Sequence, residues 1–382
     1  MNTVQYHTSH KEKIVKNPND VLAFQAFWEE LKEVPEYISA CKNLKSLNLS
    51  RNRINELPDF IFTLKKLEEL DLSENNITEI PKEIGKLRRL KRLDIGYNPI
   101  KDLPDEIKSL ALEELAMSGM GMTKIPDCIS HIKSLEILHI DNNPVKTIPA
   151  NFSRLKKLKK LHCEVTKLER FDDVICQLSS LQYLGFSETD ITEIPDKIKN
   201  LSKLSELYLL QNKIEKISEN ISYLKNLECL KLAYNHLESL PTGMASLVNL
   251  GRLFLDDNRF VQFPDIVLKL RNVRALTFNN NKIESLPETF ISMNSLRCIS
   301  FHGNSIKTFY KSFLHAPPHL THIFFGDNPL SDIKRELEEL FHSNAVFEFL
   351  DGRGFKDQLT IGEKRKIKQL YKRKNENISI DY

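Results

Sequence analysis

Leu67-Glu-Glu-Leu70-Asp-Leu72-Ser-Glu-Asn75-Asn-Ile77-Thr-Glu-Ile80-Pro81-Lys-Glu-Ile84-Gly-Lys-Leu87 is one copy of a unit that recurs thirteen times in a single phase. Its first leucine falls at Leu44, Leu67, Leu90, Leu112, Leu135, Leu158, Leu181, Leu204, Leu227, Leu250, Val273, Leu296 and Leu320. The steps are 23 residues, except one of 22 into Leu112 and one of 24 into Leu320. A fixed period in this range marks a solenoid, in which each repeat is one supersecondary unit that buries its apolar face only against its neighbours. The 382 residues therefore need no single compact core, although their number alone would suggest two or three globular domains.

Within the unit, Leu70-Asp71-Leu72 alternates apolar and polar, which predicts a short strand with one buried face. Stacking places such strands side by side as a parallel sheet and turns the intervening positions outward. An asparagine follows at a constant offset, at Asn52, Asn75, Asn98, Asn143, Asn212, Asn235, Asn258, Asn281, Asn304 and Asn328. Its amide offers donors and an acceptor that can satisfy buried backbone groups of its own turn and of the next. Ile80-Pro81-x-x-Ile84-x-x-Leu87 then has three-residue apolar spacing after a proline, which suits a short helical turn starting at the proline. Strands about 4.8 Å apart inside and wider turns outside predict a stack that is concave on its strand side.

The pattern LxxLxLxxNxIxxLPxxIxxLxx resembles the leucine-rich repeat family. It is most similar to the 23-residue subtype of Ras-group and scribble-like scaffolds and of many bacterial repeat proteins, and it covers about residues 31–340. The resemblance implies an α/β repeat solenoid, a right-handed horseshoe with a concave parallel sheet and short outer helical turns. It also implies a protein that recognises other proteins. The chain departs from the 20-residue repeats of bacterial ubiquitin-ligase effectors and is too short to hold their catalytic domain. Secreted members usually carry disulfide-bonded caps. Here Cys41, Cys128, Cys163, Cys176, Cys229 and Cys298 are scattered, so reduced thiols in a cytoplasmic setting are expected. Neither a signal-peptide h-region nor a long apolar span is present, which leaves signal-free export into a host cell as the alternative.

Solenoid ends have to be covered. Residues 1–43 are expected to form an N-terminal cap, in which Asn17 to Asp20 open an amphipathic helix bearing Val21, Phe24, Phe27, Trp28 and Leu31. The half-repeat Val34-Pro35-x-x-Ile38 follows it. Thirteen repeats then fill 44–342. Over 343–382 a C-terminal cap is expected, with an apolar strand at Val346–Leu350 and a basic helical tail. The helix face Ile333, Leu337, Leu340 and Phe341 precedes that strand. In the tail, Thr360 and Glu363 have capping-box spacing, and Ile367, Leu370 and Tyr371 align opposite Lys364, Arg365, Lys366, Lys368, Lys372, Arg373 and Lys374. The net charge is +3 overall but +5 over the last thirty residues. The tail thus reads either as a helix docked on the cap or as a binder of anionic membrane or nucleic acid. For the bulk of the chain nucleic acid is not the expected partner, and a monomer is expected.

The repeat also falters. Met120, Thr166 and Thr189 take the asparagine position, and Asp172 and Ser218 take the proline position. Tolerated drift in a long array explains these breaks more simply than a specialised loop does.

The outward strand positions are where function can lie. In the first repeats they are small or charged, as with Ser46, Asn48, Glu69, Asp71, Arg92 and Asp94. Further along come Tyr183, Tyr208, Leu210, Lys231, Tyr234, Arg252 and Phe254, followed by Phe324. Tyr, Phe and Arg are enriched at the centres of protein interfaces, and large aromatics on a solvent-facing sheet are not required by the fold. The alternative is that they pack against cross-strand neighbours. His139 and His162 hold equivalent outward positions beside Asp141 and Glu164, a donor set suited to zinc. A polar patch is the simpler reading, so no metal or other cofactor is assigned from sequence. No phosphate loop, HExxH or nucleophile elbow occurs, and an open hydrated sheet is unsuited to desolvated catalysis. The expected function is non-enzymatic recognition of a protein on the concave face. A bacterial effector that sequesters a host protein, and a nucleic-acid or membrane binder acting through the tail, are the rivals.

Overall fold

The computed structural model describes residues 3–5, 16–287, 289, 293–308, 320, 322–329 and 346–348, and the chain divides into two compact units, Met1–Asp190 and Ile191–Tyr382. Each unit is a parallel sheet of three-residue strands alternating with short 3-10 turns.

The first unit carries β1 (Thr3–Gln5), β2 (Ala23–Gln25), β3 (Ser46–Asn48), β4 (Glu69–Asp71), β5 (Arg92–Asp94), β6 (Glu114–Ala116), β7 (Ile137–His139), β8 (Lys160–His162) and β9 (Tyr183–Gly185). They pair in chain order. The second unit carries β11 (Glu206–Tyr208), β13 (Cys229–Lys231), β14 (Arg252–Phe254), β15 (Ala275–Thr277), β16 (Cys298–Ser300), β17 (His322–Phe324) and β18 (Val346–Glu348), again paired in order. A separate two-stranded pair, β10 (Glu193–Ile194) with β12 (Lys216–Ile217), lies just ahead of the turns Asp196–Asn200 and Glu219–Tyr223. Register is strict: the central residues Leu47, Leu70, Leu93, Leu115, Leu138, Leu161 and Leu184 are partners in sequence, and all are buried. A leucine taken wholly out of water contributes about 2–3 kcal/mol, so this column is a large part of what holds the stack.

The asparagine column works as a side-chain staple, but it reaches backward rather than forward. Asn75 Nδ2 donates to Leu72 O in its own turn (3.0 Å) and to Leu49 O in the preceding repeat (2.9 Å), while its Oδ1 accepts from Ile54 N of that preceding repeat (3.0 Å). Asn98, Asn143, Asn235, Asn258, Asn281, Asn304 and Asn328 make the same backward bond to the preceding repeat. Thr166 can do only part of this: its Oγ1 donates to Cys163 O within its own turn (3.1 Å).

A second column is conformational. The residue just before each asparagine is left-handed, with φ between 51° and 57° at Arg51, Glu74, Tyr97, Asn142, Gln211, Tyr234, Asp257 and Asn280, and φ 66° at Gly119. This twist lets the backbone leave the strand while its N–H still bonds the next repeat, as Arg51 N does to Ser73 O (2.9 Å) and Tyr97 N to Ser118 O (2.7 Å). In the repeat that begins at Leu112, Gly119 is required twice over. Its φ favours glycine, and a Cβ there would collide with the Tyr97 ring, which lies across it to accept a hydrogen bond from Asn142 Nδ2 (3.1 Å).

Two expectations need correction. Residues 17–31 do not form a capping helix. Ala23–Gln25 is a strand paired with both β1 and β3, and Val21, Phe24 and Ala26 fill the core columns of one further register. The reason is energetic: a strand here continues the ladder and buries Phe24 completely, whereas Phe27 and Trp28 are left 51% and 72% exposed. The short helical turns are present as 3-10 turns, but the prolines stand as extended caps just before them rather than at their first position, as at Pro58, Pro81 and Pro104. Where Ser218 replaces proline, its side chain accepts from Asn220 N, so the cap is kept by other means. The expected C-terminal helix face at 333–341 and the basic tail at 360–382 lie outside the described residues.

Candidate functional site

Two clusters of side chains stand out on the sheet faces, one in each unit. In the second unit the third strand position runs Tyr208, Lys231, Phe254, Thr277, Ser300 and Phe324 along paired strands. Lys231 Nζ sits 4.3 Å from the centroid of the Tyr208 ring and 5.7 Å from that of Phe254. A cation flanked by two ring faces is held by their quadrupoles, at about 0.5–1 kcal/mol per contact when exposed. Tyr208 Oη donates to Glu206 Oε2 (2.6 Å), which fixes the ring, and burial together with that bond raises the phenol pKa. Tyr208, Lys231, Phe254 and Leu210 are half-buried, while Arg252 and Tyr234 are exposed. Beside this row, Asp256 is held by a bond from Thr277 Oγ1 and by Asn279 N (2.8 Å). The row is therefore fixed by its neighbours while its ring faces and cation remain open to solvent.

In the first unit the corresponding row reads Asn48, Asp71, Asp94, Ala116, His139, His162 and Gly185. Asp94 accepts from Gly96 N (2.9 Å), yet burial, reinforced by the charges of Asp71, Glu114 and Glu74, pushes its carboxyl up to about 6. His139 and His162 stack with centroids 4.3 Å apart and planes at 15°. Tyr183 stacks in turn on His162 at 4.3 Å and donates to Glu164 Oε1 (3.0 Å). Glu164 leans over Gly185, where any Cβ would collide with its carboxylate. Burial and the adjacent Asp141 push the Glu164 carboxyl up to about 8, and burial beside His139 brings His162 down to about 4.

The residues singled out from sequence thus separate. Tyr208, Lys231 and Phe254 form one continuous row of the second unit, with Arg252, Leu210 and Tyr234 on the same repeats. Tyr183 belongs to the first unit, where it completes the histidine stack. Trp28 and Phe27, expected to face a core, are exposed and join the candidate surface residues of the first unit. Among the described residues, no helix is long and apolar enough to cross a membrane.

Two family models match the chain: one described as leucine rich repeat over residues 42–100, and one described as a leucine-rich repeat region over residues 171–259. No curated protein matches. Among solved structures, a leucine-rich repeat protein of Leptospira interrogans is 26% identical and superposes with a TM-score of 0.76, over 91% of this chain and 100% of that one. The ectodomain of the Arabidopsis thaliana receptor kinase GASSHO1/SCHENGEN3, in complex with Casparian strip integrity factor 2, is 24% identical, with a TM-score of 0.57 over 78% of this chain and 43% of its own. The TLR13–ssRNA13 complex contains a chain 22% identical, with a TM-score of 0.68 over 92% of this chain and 57% of its own.

Proposed function

We propose that this chain, which belongs to the leucine-rich repeat family, is a non-enzymatic recognition protein that captures a protein partner on the sheet face of its second unit. The observation that carries the reading is the Tyr208–Lys231–Phe254 row: two half-open aromatic faces around one cation, on strands whose register fixes their spacing. None of the three is needed to fill the core, which the leucine columns already do. Interface anchors are typically aromatic or arginine side chains in a rigid surround, and Arg252 and Tyr234 extend the row in that sense.

The fold alone does not choose the partner, since one relative of this shape is seen with a protein factor and another with single-stranded RNA. The surface chemistry favours protein. A phosphate backbone calls for a track of several cations. This row instead offers one lysine between rings, beside the carboxylates of Glu206 and Asp256. The partner expected is one that packs an apolar side chain over the rings and sets a carboxylate near Lys231 and Arg252. Because short strands hold the row in place before contact, binding orders little backbone, which is how a rigid repeat surface attains affinity. Affinity capture with the full chain, compared with its Tyr208→Ala/Phe254→Ala variant, tests the reading. A protein retained by the first and lost by the second is expected, and equal recovery by both would reject this surface.

A further inference from the structure

We propose that the sheet face of the first unit binds a divalent cation of the zinc class through His139, Asp141 and His162. Side-chain nitrogens and a carboxylate oxygen of these three residues all lie within 4.8 Å of one another. Among the described residues, no other trio of His, Cys, Asp and Glu brings its ligand atoms this close. Tetrahedral zinc with bonds of about 2.0–2.1 Å holds its ligands about 3.4 Å apart, so the site closes when the side-chain tips draw in by about 1 Å and one imidazole turns its lone pair toward the shared ion. The backbone need not move, since β7 and β8 are locked in register, His139 opposite His162.

Orientation supports the same conclusion. His139 Nε2 faces Glu114 Oε1 at 3.5 Å, and its Nδ1 faces Asp141 Oδ2 at 3.9 Å. A carboxylate on the Nε2 side favours the tautomer in which Nδ1 presents its lone pair, the arrangement that orients histidines on metals. His162 Nδ1 likewise faces a carboxylate, Glu164 Oε1, at 3.9 Å. The stack of Tyr183 on His162 on His139 keeps both imidazoles on one patch of the sheet face, and a shared ion is reached when one ring turns out of the stack so that the two in-plane lone pairs converge.

The carboxylates supply the independent observation. Glu164 N donates to Asp141 Oδ1 (3.0 Å), which ties the two residues together across the strands, and Glu164 Oε2 is buried with no hydrogen-bond partner. An unpartnered buried carboxylate oxygen beside two imidazoles marks a place that a cation would fill. The side chains of His139, Asp141, His162 and Glu164 are only 18–27% exposed. The site is thus partly dehydrated, with one side open for water or for a donor from a partner. Gly185, opposite His162, leaves the room that Glu164 occupies.

The test is titration of the chelator-stripped full chain with Co(II), read by the visible absorption that four-coordinate cobalt develops, followed by competition with Zn(II). One equivalent should bind with a nitrogen–oxygen spectrum and be displaced by zinc. The His139→Ala and His162→Ala variants should each lose saturable binding. Glu114→Leu should weaken it about tenfold by removing the acceptor on the Nε2 side of His139. Absence of saturable binding to the unaltered chain would overturn the proposal. A thiolate charge-transfer band would overturn it too, by moving the metal to a cysteine. So would binding that survives in both histidine variants. The wild-type titration decides the matter even if a variant were to misfold.

Discussion

Replacing Asn75 with alanine removes four hydrogen bonds at once: Nδ2 to Leu49 O, Leu72 O and Ser73 O, and Ile54 N to Oδ1. The cavity is too enclosed for water to replace them freely, since Asn75 is only 6% exposed. The Leu49 carbonyl and the Ile54 N–H belong to the preceding repeat, so the variant severs a link between repeats as well as loosening one turn. An unsatisfied buried polar group costs about 1–3 kcal/mol. Two such groups, with partial compensation for the rest, predict a loss of about 3–5 kcal/mol. Asn75→Thr should cost less, because a hydroxyl can still serve its own turn as Thr166 does through Cys163 O. Urea unfolding followed by circular dichroism measures the loss. Amide exchange should show the extra opening centred on Ile54 and Leu49 rather than spread evenly. A loss below about 1 kcal/mol for alanine, or threonine as costly as alanine, would refute the view that the asparagine column staples each repeat to the one before it.

Asp94 gives a pH prediction. Its folded pKa of about 6 lies above the ordinary 3.8, so the folded chain holds this proton more tightly than the unfolded one. That contribution is fully present below pH 3.8 and is lost as pH rises through 6. At about 1.4 kcal/mol per pH unit, the buried carboxylate costs up to about 3 kcal/mol at pH 7. Asp94→Asn keeps an acceptor for Gly96 N and should raise stability at pH 7 while flattening the pH profile between 4 and 7, as thermal melts across that range would show. Val165 is a β-branched residue held at φ 54° and 40% exposed, in the column where other repeats place Asn142, Asn280 or Gly119. Val165→Asn should therefore raise stability by about 1 kcal/mol, and an unchanged or lowered melting temperature would contradict the strain.

The leucine and asparagine columns were legible in the sequence because each repeats at fixed spacing, and thirteen copies average out individual exceptions. The N-terminal register was not. Val21, Phe24, Phe27, Trp28 and Leu31 satisfy a helical period as well as a strand one. Small Ala26 in the last core column, with Glu29 where an asparagine belongs, hid the repeat. The period itself held the missing signal, since Val21 lies one step before Leu44. The left-handed column was invisible for another reason: Arg51, Glu74, Tyr97 and Tyr234 share a conformation but no chemistry. Tyr183 was read with Tyr208 because both are aromatic and outward. Its real company is His162, and the clue was Gly185, whose missing side chain opens the space into which Glu164 leans to accept from Tyr183. The pairing of His139 with His162 was visible from register alone. The contact with Glu114 was not, because it needs side-chain positions on a neighbouring strand.

The role of the second unit's sheet face is tested most directly by the affinity of the captured partner for three single variants: Tyr208→Ala, Phe254→Ala and Tyr223→Ala. Tyr223 is an exposed aromatic too, at 57%, but it stands on the turn Glu219–Tyr223 and not on the strands. Calorimetry should find Kd raised tenfold or more by each of the first two and by less than twofold by the third. Weakening by Tyr223→Ala with Tyr208→Ala and Phe254→Ala unaffected would contradict recognition on the sheet face.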